Sequence, residues 1–177
     1  HLSIRRQRQM CIRDRVLDYI LRKQKSLHAA IVTSPWLKLS FEPGKAKLLL
    51  ASVMKNIVPG LILPSGLVTD HLSHNKEIVE AYKADPLVHD KVSVSLFHSA
   101  MNAARFSMNH ASELKIPLLI MHGSEDMICS PEGSRQFASK TDMAELKIWD
   151  GGYHELHNEV FSENVFTFLR DWIINKL

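Results

Sequence analysis

Two polar segments near the C-terminus carry residue types that could do chemistry. "HGSEDMICSPEGS" (His122–Ser134) contains Glu125 and Asp126, and "DGGYHELHNE" (Asp150–Glu159) contains His154 and His157. A buried carboxylate beside a histidine is the acid–base part of a nucleophilic triad, because the acid fixes the imidazole tautomer and stabilises the imidazolium. Either segment alone also fits an ordinary polar turn, so the elements before them must decide.

Each polar segment follows a short apolar run that predicts a buried strand. The three such runs are "AAIVTSP" (Ala29–Pro35), "IPLLIMHG" (Ile116–Gly123) and "ELKIWDGG" (Glu145–Gly152). Helices are predicted between and around them, at Arg15–Lys25, at Ser130–Lys140 with Ser130 as N-cap, and near the C-terminus with an apolar face at residues 161, 165, 166, 168, 169, 172 and 173. Buried strands alternating with helices indicate an α/β fold with a parallel sheet and flanking helices.

The predicted sheet brings the acid and the histidine together. Functional groups in such sheets lie beyond the carboxyl ends of the strands, and neighbouring strands are about 4.8 Å apart. Asp126 and His154 follow two such ends, so we expect them to meet. Glu125 is the competing acid.

The two histidines also raise the possibility of a metal site. Zinc helices of the H-E-x-x-H type space their histidines four apart on one helical face, whereas His154 and His157 are three apart after a Gly pair. We therefore predict no metal and no cofactor. His157 is expected to order the loop or cap the final helix, and Tyr153 to support the site. Cys129 is expected to be a small buried residue, with a thiol at the pocket wall as the alternative.

The segment between the first two strands, about 36–113, differs from the rest. It is rich in Leu and Met, has a helical pattern and shows no convincing strand. We predict a helical insertion over one end of the sheet. The apolar stripe of its helix at Lys45–Val58 is either core or an exposed face that binds acyl chains or a membrane surface.

Composition and charge exclude several classes of protein. The 177 residues suit one domain, with 45% hydrophobic residues and a net charge of +3. Residues 1–15 hold five Arg against one Asp, so residues 16–177 carry −1 and give no case for a nucleic-acid partner. Two distant cysteines, Cys11 and Cys129, favour a reducing, cytoplasmic location. The most apolar stretch, Ala46–Val68, is interrupted by Lys, Pro and Gly, so no membrane span is predicted.

Together, "IPLLIMHGSEDMICSPEGS", "GGYHELHNE" and "ADPLVH" (Ala84–His89) resemble the C-terminal portion of an α/β-hydrolase of the monoacylglycerol lipase and lysophospholipase group, a relative of the serine aminopeptidases. The resemblance covers about residues 16–177. It implies Asp126 as triad acid, His154 as general base and the insertion as a cap over an acyl-binding tunnel. The implied substrate is a monoacylglycerol or lysophospholipid, with peripheral membrane contact through the cap.

Two alternatives stay open. A peptidase of the proline-iminopeptidase kind needs acids in the cap to hold a free amine, and Glu77, Glu80 and Asp85 are present. The other alternative is a non-catalytic binding domain of the same fold.

The nucleophile is where the chain departs from the resemblance. The chain has no G-x-S-x-G elbow, and the serine would fall near Met10, where "RRQRQMCIRDR" stands. Bulky residues do not suit that strained turn. We therefore expect residues 1–15 to be a non-native segment and the chain as given to be an inactive fragment.

Overall fold

In the computed structural model, residues 15–23, 27–41, 44, 49, 52–54, 57–58 and 60–176 are described. The predicted non-native segment lies outside the described residues except for Arg15, and so does Met10. Most of the predicted cap helix Lys45–Val58 also lies outside them.

The described elements alternate between strands and helices. In chain order they are α1 (15–22), β1 (Ala30–Thr33), β2 (Ile62–Pro64), α2 (Lys76–Ala84), β3 (Lys91–Ser93), α3 (Val94–His110), β4 (Leu118–Gly123), α4 (Pro131–Ala138), β5 (Ala144–Trp149) and α5 (Ser162–Lys176). The predicted strands and helices are present, with ends shifted by a few residues. Ser130 is the N-cap of α4 by position, but its side chain makes no capping hydrogen bond.

The main sheet is parallel and has the order β1-β4-β5. All six residues of the central strand β4 are buried, which explains why its sequence is a continuous apolar run rather than an alternating one. Helices pack on both faces, so the predicted α/β class is confirmed. Among the described residues β1 has a strand partner on one side alone.

Alternation along β4 builds two separate cores. Leu118 and Ile120 join α1 and α4 through Leu17, Ile20 and Phe137. Leu119 and Met121 point to the opposite face and pack with Val165 and Trp172 of α5. Phe166, predicted to lie on the apolar face of α5, is 49% exposed, and that part of the prediction was wrong.

The insertion contains strands that the sequence did not predict. β2 and β3 pair antiparallel, with Ile62 opposite Ser93 and Pro64 opposite Lys91. Each strand has three residues, too few to show a two-residue alternation, and Pro64 lacks a backbone donor. The expectation of an insertion without strands was therefore wrong, although its two longest described elements are the helices α2 and α3.

Candidate active site

Asp126 and His154 meet at the carboxyl edge of the sheet. Gly123, the last residue of β4, is in register with Trp149, the last residue of β5, so the two following loops leave the sheet side by side. Nδ1 of His154 lies 2.8 Å from Oδ2 of Asp126. The two residues are 1% and 4% exposed, whereas Glu125 is exposed.

The loop after β4 fixes the Asp126 carboxylate. Its Oδ1 accepts hydrogen bonds from the backbone N–H groups of Ile128 at 2.8 Å and Cys129 at 2.9 Å. This turn is the local structure that Asp favours, because its short side chain reaches the backbone two and three residues on. The hydroxyl of Ser40 donates to the Asp126 carbonyl at 2.7 Å and anchors the same turn. Oδ1 is therefore occupied, and Oδ2 faces His154.

A second histidine contacts the same carboxylate, and the sequence did not reveal it. Nε2 of His122 lies 3.1 Å from Oδ2 of Asp126 and 2.9 Å from the carbonyl oxygen of Cys129. His122 is the penultimate residue of β4 and is fully buried. It ends an otherwise apolar strand, and that polar interruption was the available signal.

These contacts keep Asp126 ionised. Burial alone would raise the pKa of Asp126, but hydrogen bonds from His122 and His154 outweigh it and hold that pKa well below its usual range. A carboxylate can only accept, so Nδ1 of His154 carries the shared proton. In neutral His154 the lone pair then lies on Nε2, and that nitrogen can take a proton from a nucleophile.

Glycines set the approach of the two loops. A Cβ on Gly123 would collide with the backbone of Gly152 and Tyr153. A Cβ on Gly152 would lie 2.8 Å from Leu156 and 3.2 Å from the Cα of Gly123. Gly151 has a φ of +66°, which side chains rarely adopt. In the Gly pair before His154, Gly152 therefore permits close packing and Gly151 permits the positive φ.

The insertion clasps the loop that carries His154. The buried Glu159 carboxylate accepts from the backbone of Tyr153 at 2.9 Å and contacts Nδ1 of His74 at 3.2 Å. The rings of His74 and Tyr153 stack with centroids 3.7 Å apart. Ser73 donates to the carbonyl of Asn158 at 2.8 Å. Tyr153 thus lies beside the site, in contact with the insertion.

The structure also gives the positions of His157 and Cys129, for each of which the sequence left two roles open. His157 lies in the 3-10 turn Leu156–Asn158, and α5 begins at Ser162, so His157 does not cap that helix. Its role in ordering the loop stays a prediction. Cys129 is 2% exposed and packs with Trp36 and Leu72, which favours a buried small residue over an accessible thiol.

A polar residue also follows β1, the remaining strand of the main sheet. Ser34 directly follows β1, has a φ of 45° and is 1% exposed. Its hydroxyl has no hydrogen-bond partner among the described residues. Its neighbours two residues away are Val32 and Trp36, so it lacks the small residues that a nucleophile elbow needs.

The described part of the chain has neither a metal-binding cluster nor a membrane-spanning helix. Within it, no group of three or more His, Cys, Asp or Glu is arranged to hold a metal ion. No helix in the same part is long and apolar enough to cross a bilayer.

The fold and the paired loops define an α/β-hydrolase. A solved monoacylglycerol lipase from Paleococcus ferrophilus superposes with a TM-score of 0.88 at 28% identity, over 93% of this chain and 65% of that one. The sequence profile described as serine aminopeptidase, S33, matches residues 15–160. The chain belongs to this family of hydrolases.

Curated relatives agree with that assignment. A monoacylglycerol lipase of Mycolicibacterium smegmatis is 32% identical over 72% of this chain and 46% of its own length. The phospholipase YtpA of Bacillus subtilis is 30% identical over 79% of this chain and 55% of its own length. The chain therefore spans about half the length of these relatives.

Proposed function

We propose that this chain supplies the acid and the base of a serine-dependent carboxylic-ester hydrolase, with Asp126 as acid and His154 as base. One observation carries the proposal. The buried 2.8 Å hydrogen bond joins a carboxylate and an imidazole from neighbouring strand ends. Geometry of this kind serves acyl transfer through a covalent acyl-enzyme.

The reaction follows from that geometry. Nε2 of His154 takes the proton of a serine hydroxyl as its oxygen attacks the ester carbon. The imidazolium is stabilised by Asp126 through Nδ1–H and then gives its proton to the leaving alcohol. Water repeats the sequence on the acyl-enzyme, with His154 again as base, and releases the fatty acid and the serine.

The nucleophile of the proposed enzyme lies outside the described residues. In the family α1 follows the serine, and here α1 is described from residue 15. The chain alone is then inactive, since loss of a triad serine costs about 10⁶ in kcat in a well-studied protease. We define the extended protein as residues 16–177 preceded by the upstream sequence that the source carries in place of residues 1–15.

A single-acyl glyceride or a lysophospholipid is the proposed substrate. The relatives named above are a monoacylglycerol lipase and a phospholipase, which supports an acyl ester with a glycerol-based head group. The insertion adds apolar surface suited to an acyl chain. Its exposed apolar residues include Leu49, Val53, Ile57 and Ile62.

The peptidase alternative has weaker support. A site that binds a free amine needs a carboxylate that faces it and is not already paired with another group. Glu80 instead pairs with Lys83 at 3.0 Å, and Asp85 accepts from the backbone of Leu87 at 2.9 Å. Glu77 is exposed in the first turn of α2. These acids do not converge.

Peripheral membrane contact of a cytoplasmic protein is a further part of the proposal. Leu49, Val53 and Ile57 are 68%, 50% and 67% exposed, and their spacing of four places them on one helical face. Vesicle sedimentation of the extended protein tests this. Val53→Ser with Ile57→Ser should reduce binding, and Val160→Ser, another exposed apolar residue, should not. Equal binding of all variants would contradict the contact.

Turnover and active-site labelling test the central proposal. The extended protein should hydrolyse a monoacylglycerol and react with a fluorophosphonate, and His154→Ala should abolish both. The chain as given should not be labelled. Labelling of this chain, above all at Ser34, would overturn the placement of the nucleophile. Absence of ester hydrolysis by the labelled extended protein would overturn the substrate class.

A further inference from the structure

We propose that His122 is a positioning residue for the catalytic carboxylate, and that Ser134 fixes the tautomer in which His122 does so. The inference rests on the proposed function, because it concerns the same acid–base pair. It adds a fully buried pair, Ser134 and His122, whose imidazole contacts the same Oδ2 of Asp126 as His154 does.

The hydrogen-bond partners determine the tautomer of His122. Nε2 lies 2.9 Å from the carbonyl oxygen of Cys129, which can only accept, so Nε2 carries a proton. The same N–H is within 3.1 Å of Oδ2 of Asp126. Nδ1 lies 2.7 Å from the hydroxyl of Ser134, which donates to it when the ring is neutral. His122 therefore carries its proton on the nitrogen that contacts the carboxylate, between the Cys129 carbonyl and Oδ2 of Asp126.

Asp126 is then held by three hydrogen bonds and one further close contact. Two backbone N–H groups donate to Oδ1 and Nδ1–H of His154 donates to Oδ2, while Nε2 of His122, bonded to the Cys129 carbonyl, lies 3.1 Å from the same Oδ2. A carboxylate held by His154 and the turn alone could rotate about its last bond. The contact with His122 restricts that rotation and keeps Oδ2 aimed at His154, which is the requirement for a single tautomer of the base.

The Ser134–His122–Asp126 arrangement is not a second nucleophilic centre. The side chains of His122 and Asp126 are both 0% exposed, and Ser134 as a residue is 0% exposed, so no substrate reaches the hydroxyl. The ring is also reversed relative to His154, since the carboxylate contacts Nε2 and the serine contacts Nδ1. Ser134 lies within α4 rather than on a strained turn. Positioning is the role that these contacts leave.

Other ionisable groups are neighbours of Asp126 and His154 in the chain. Exposed Glu125 lies in the Asp126 loop, and Glu155 and Tyr153 flank His154. Glu155 accepts from Asn158 at 2.6 Å, and buried Glu159 contacts His74 of the insertion. None of these contacts involves His122, so its substitution can be examined separately.

Two variants of the extended protein separate hydrogen bonding from space filling. His122→Leu removes the donor, and His122→Gln keeps an N–H at a similar reach. By comparison with outer partners of metal ligands, the Leu variant should lower kcat roughly 10–100-fold with KM unchanged. The Gln variant should restore most of the rate. Nitrogen NMR of the His154 ring should show a mixture of tautomers in His122→Leu. It should show a single tautomer in His122→Gln and in the unsubstituted protein.

Ser134→Ala provides an independent test with little risk to folding, because alanine favours helices. Ser134→Ala should also give a mixture of His154 tautomers, and it should move the acidic limb of the pH profile of kcat/KM. Both changes should have the same direction as in His122→Leu but be smaller. The proposal is overturned if His122→Leu or Ser134→Ala leaves the tautomer and the pH profile as in the unsubstituted protein, or if Gln gives no rescue. The NMR readout needs no substrate, so a protein without esterase activity but with the predicted tautomers would overturn the proposed function and leave this inference standing.

Discussion

His154 Nδ1 and Asp126 Oδ2 lie 2.8 Å apart, although the residues are separated by 28 positions in the chain. The helix α4 and the strand β5 fill that separation, and parallel pairing of β4 with β5 returns the chain to the same edge. The contact is thus a product of sheet topology rather than of local sequence, and it can be tested residue by residue.

Replacing Asp126 tests the acid. Asp126→Asn keeps the side-chain shape but presents an amide, so His154 loses the acceptor that selects its tautomer. We expect kcat of the extended protein to fall by about 10⁴, by analogy with the same change in a serine protease. Glu125→Gln is the matched control, since Glu125 is exposed, and it should leave kcat unchanged. A larger loss of kcat in Glu125→Gln than in Asp126→Asn would show that Glu125, and not Asp126, is the acid.

Stability should depend on pH through the same carboxylate. Because the folded state lowers the pKa of Asp126, its contribution is complete above the unfolded value of about 3.9 and is lost as the pH falls towards the folded value. Urea unfolding of the extended protein and Asp126→Asn between pH 7 and 3 measures this. The difference in free energy of unfolding should be constant above about pH 5 and shrink below about pH 4. A difference that grows on acidification would contradict the assigned direction.

Gly123→Ala tests the close packing of the two loops. The added Cβ would strike the backbone of Gly152, which has no flexible side-chain end to move. We expect a loss of about 1–3 kcal/mol in free energy of unfolding, together with reduced activity as the His154 loop shifts. Gly60→Ala is the control, because a Cβ there has nothing within 4 Å. Equal melting temperatures for both variants would show that the loops do not depend on this contact.

Glu159→Gln tests the clasp between the insertion and the His154 loop. An amide has a single accepting oxygen, so it cannot accept from the backbone N–H groups of both Tyr153 and His74, and one of these donors loses its partner. We expect a cost of about 1–3 kcal/mol in unfolding free energy and faster hydrogen exchange in residues 71–75 and 152–160. Glu163→Gln, exposed in the first turn of α5, should change neither measurement. Unchanged hydrogen exchange in Glu159→Gln would show that Glu159 does not couple the insertion to the His154 loop.

The contact between Asp126 and His154 could be predicted from the sequence better than the groups that support it. Asp126 and His154 could be placed because each follows an apolar strand, and parallel strands end at one edge. His122 could not, since it lies inside such a strand and its contacts with Asp126 and Ser134 depend on side-chain packing. The Glu159–His74 contact spans 85 positions and joins two loops, for which no periodicity exists. β2 and β3 were missed because three-residue strands carry no pattern.

The clasp through Glu159, His74 and Tyr153 makes the insertion a poor candidate for exchange between relatives. An insertion transferred from a relative would not be matched to the buried Glu159 carboxylate, which His74 of the present insertion contacts. The same carboxylate accepts from the backbone of Tyr153, six residues earlier in the chain. The sequence of the insertion must therefore change together with that of the His154 loop. For the proposed hydrolase, we therefore expect substitutions in the exposed part of the insertion to change substrate preference at less cost to folding than replacement of the whole insertion.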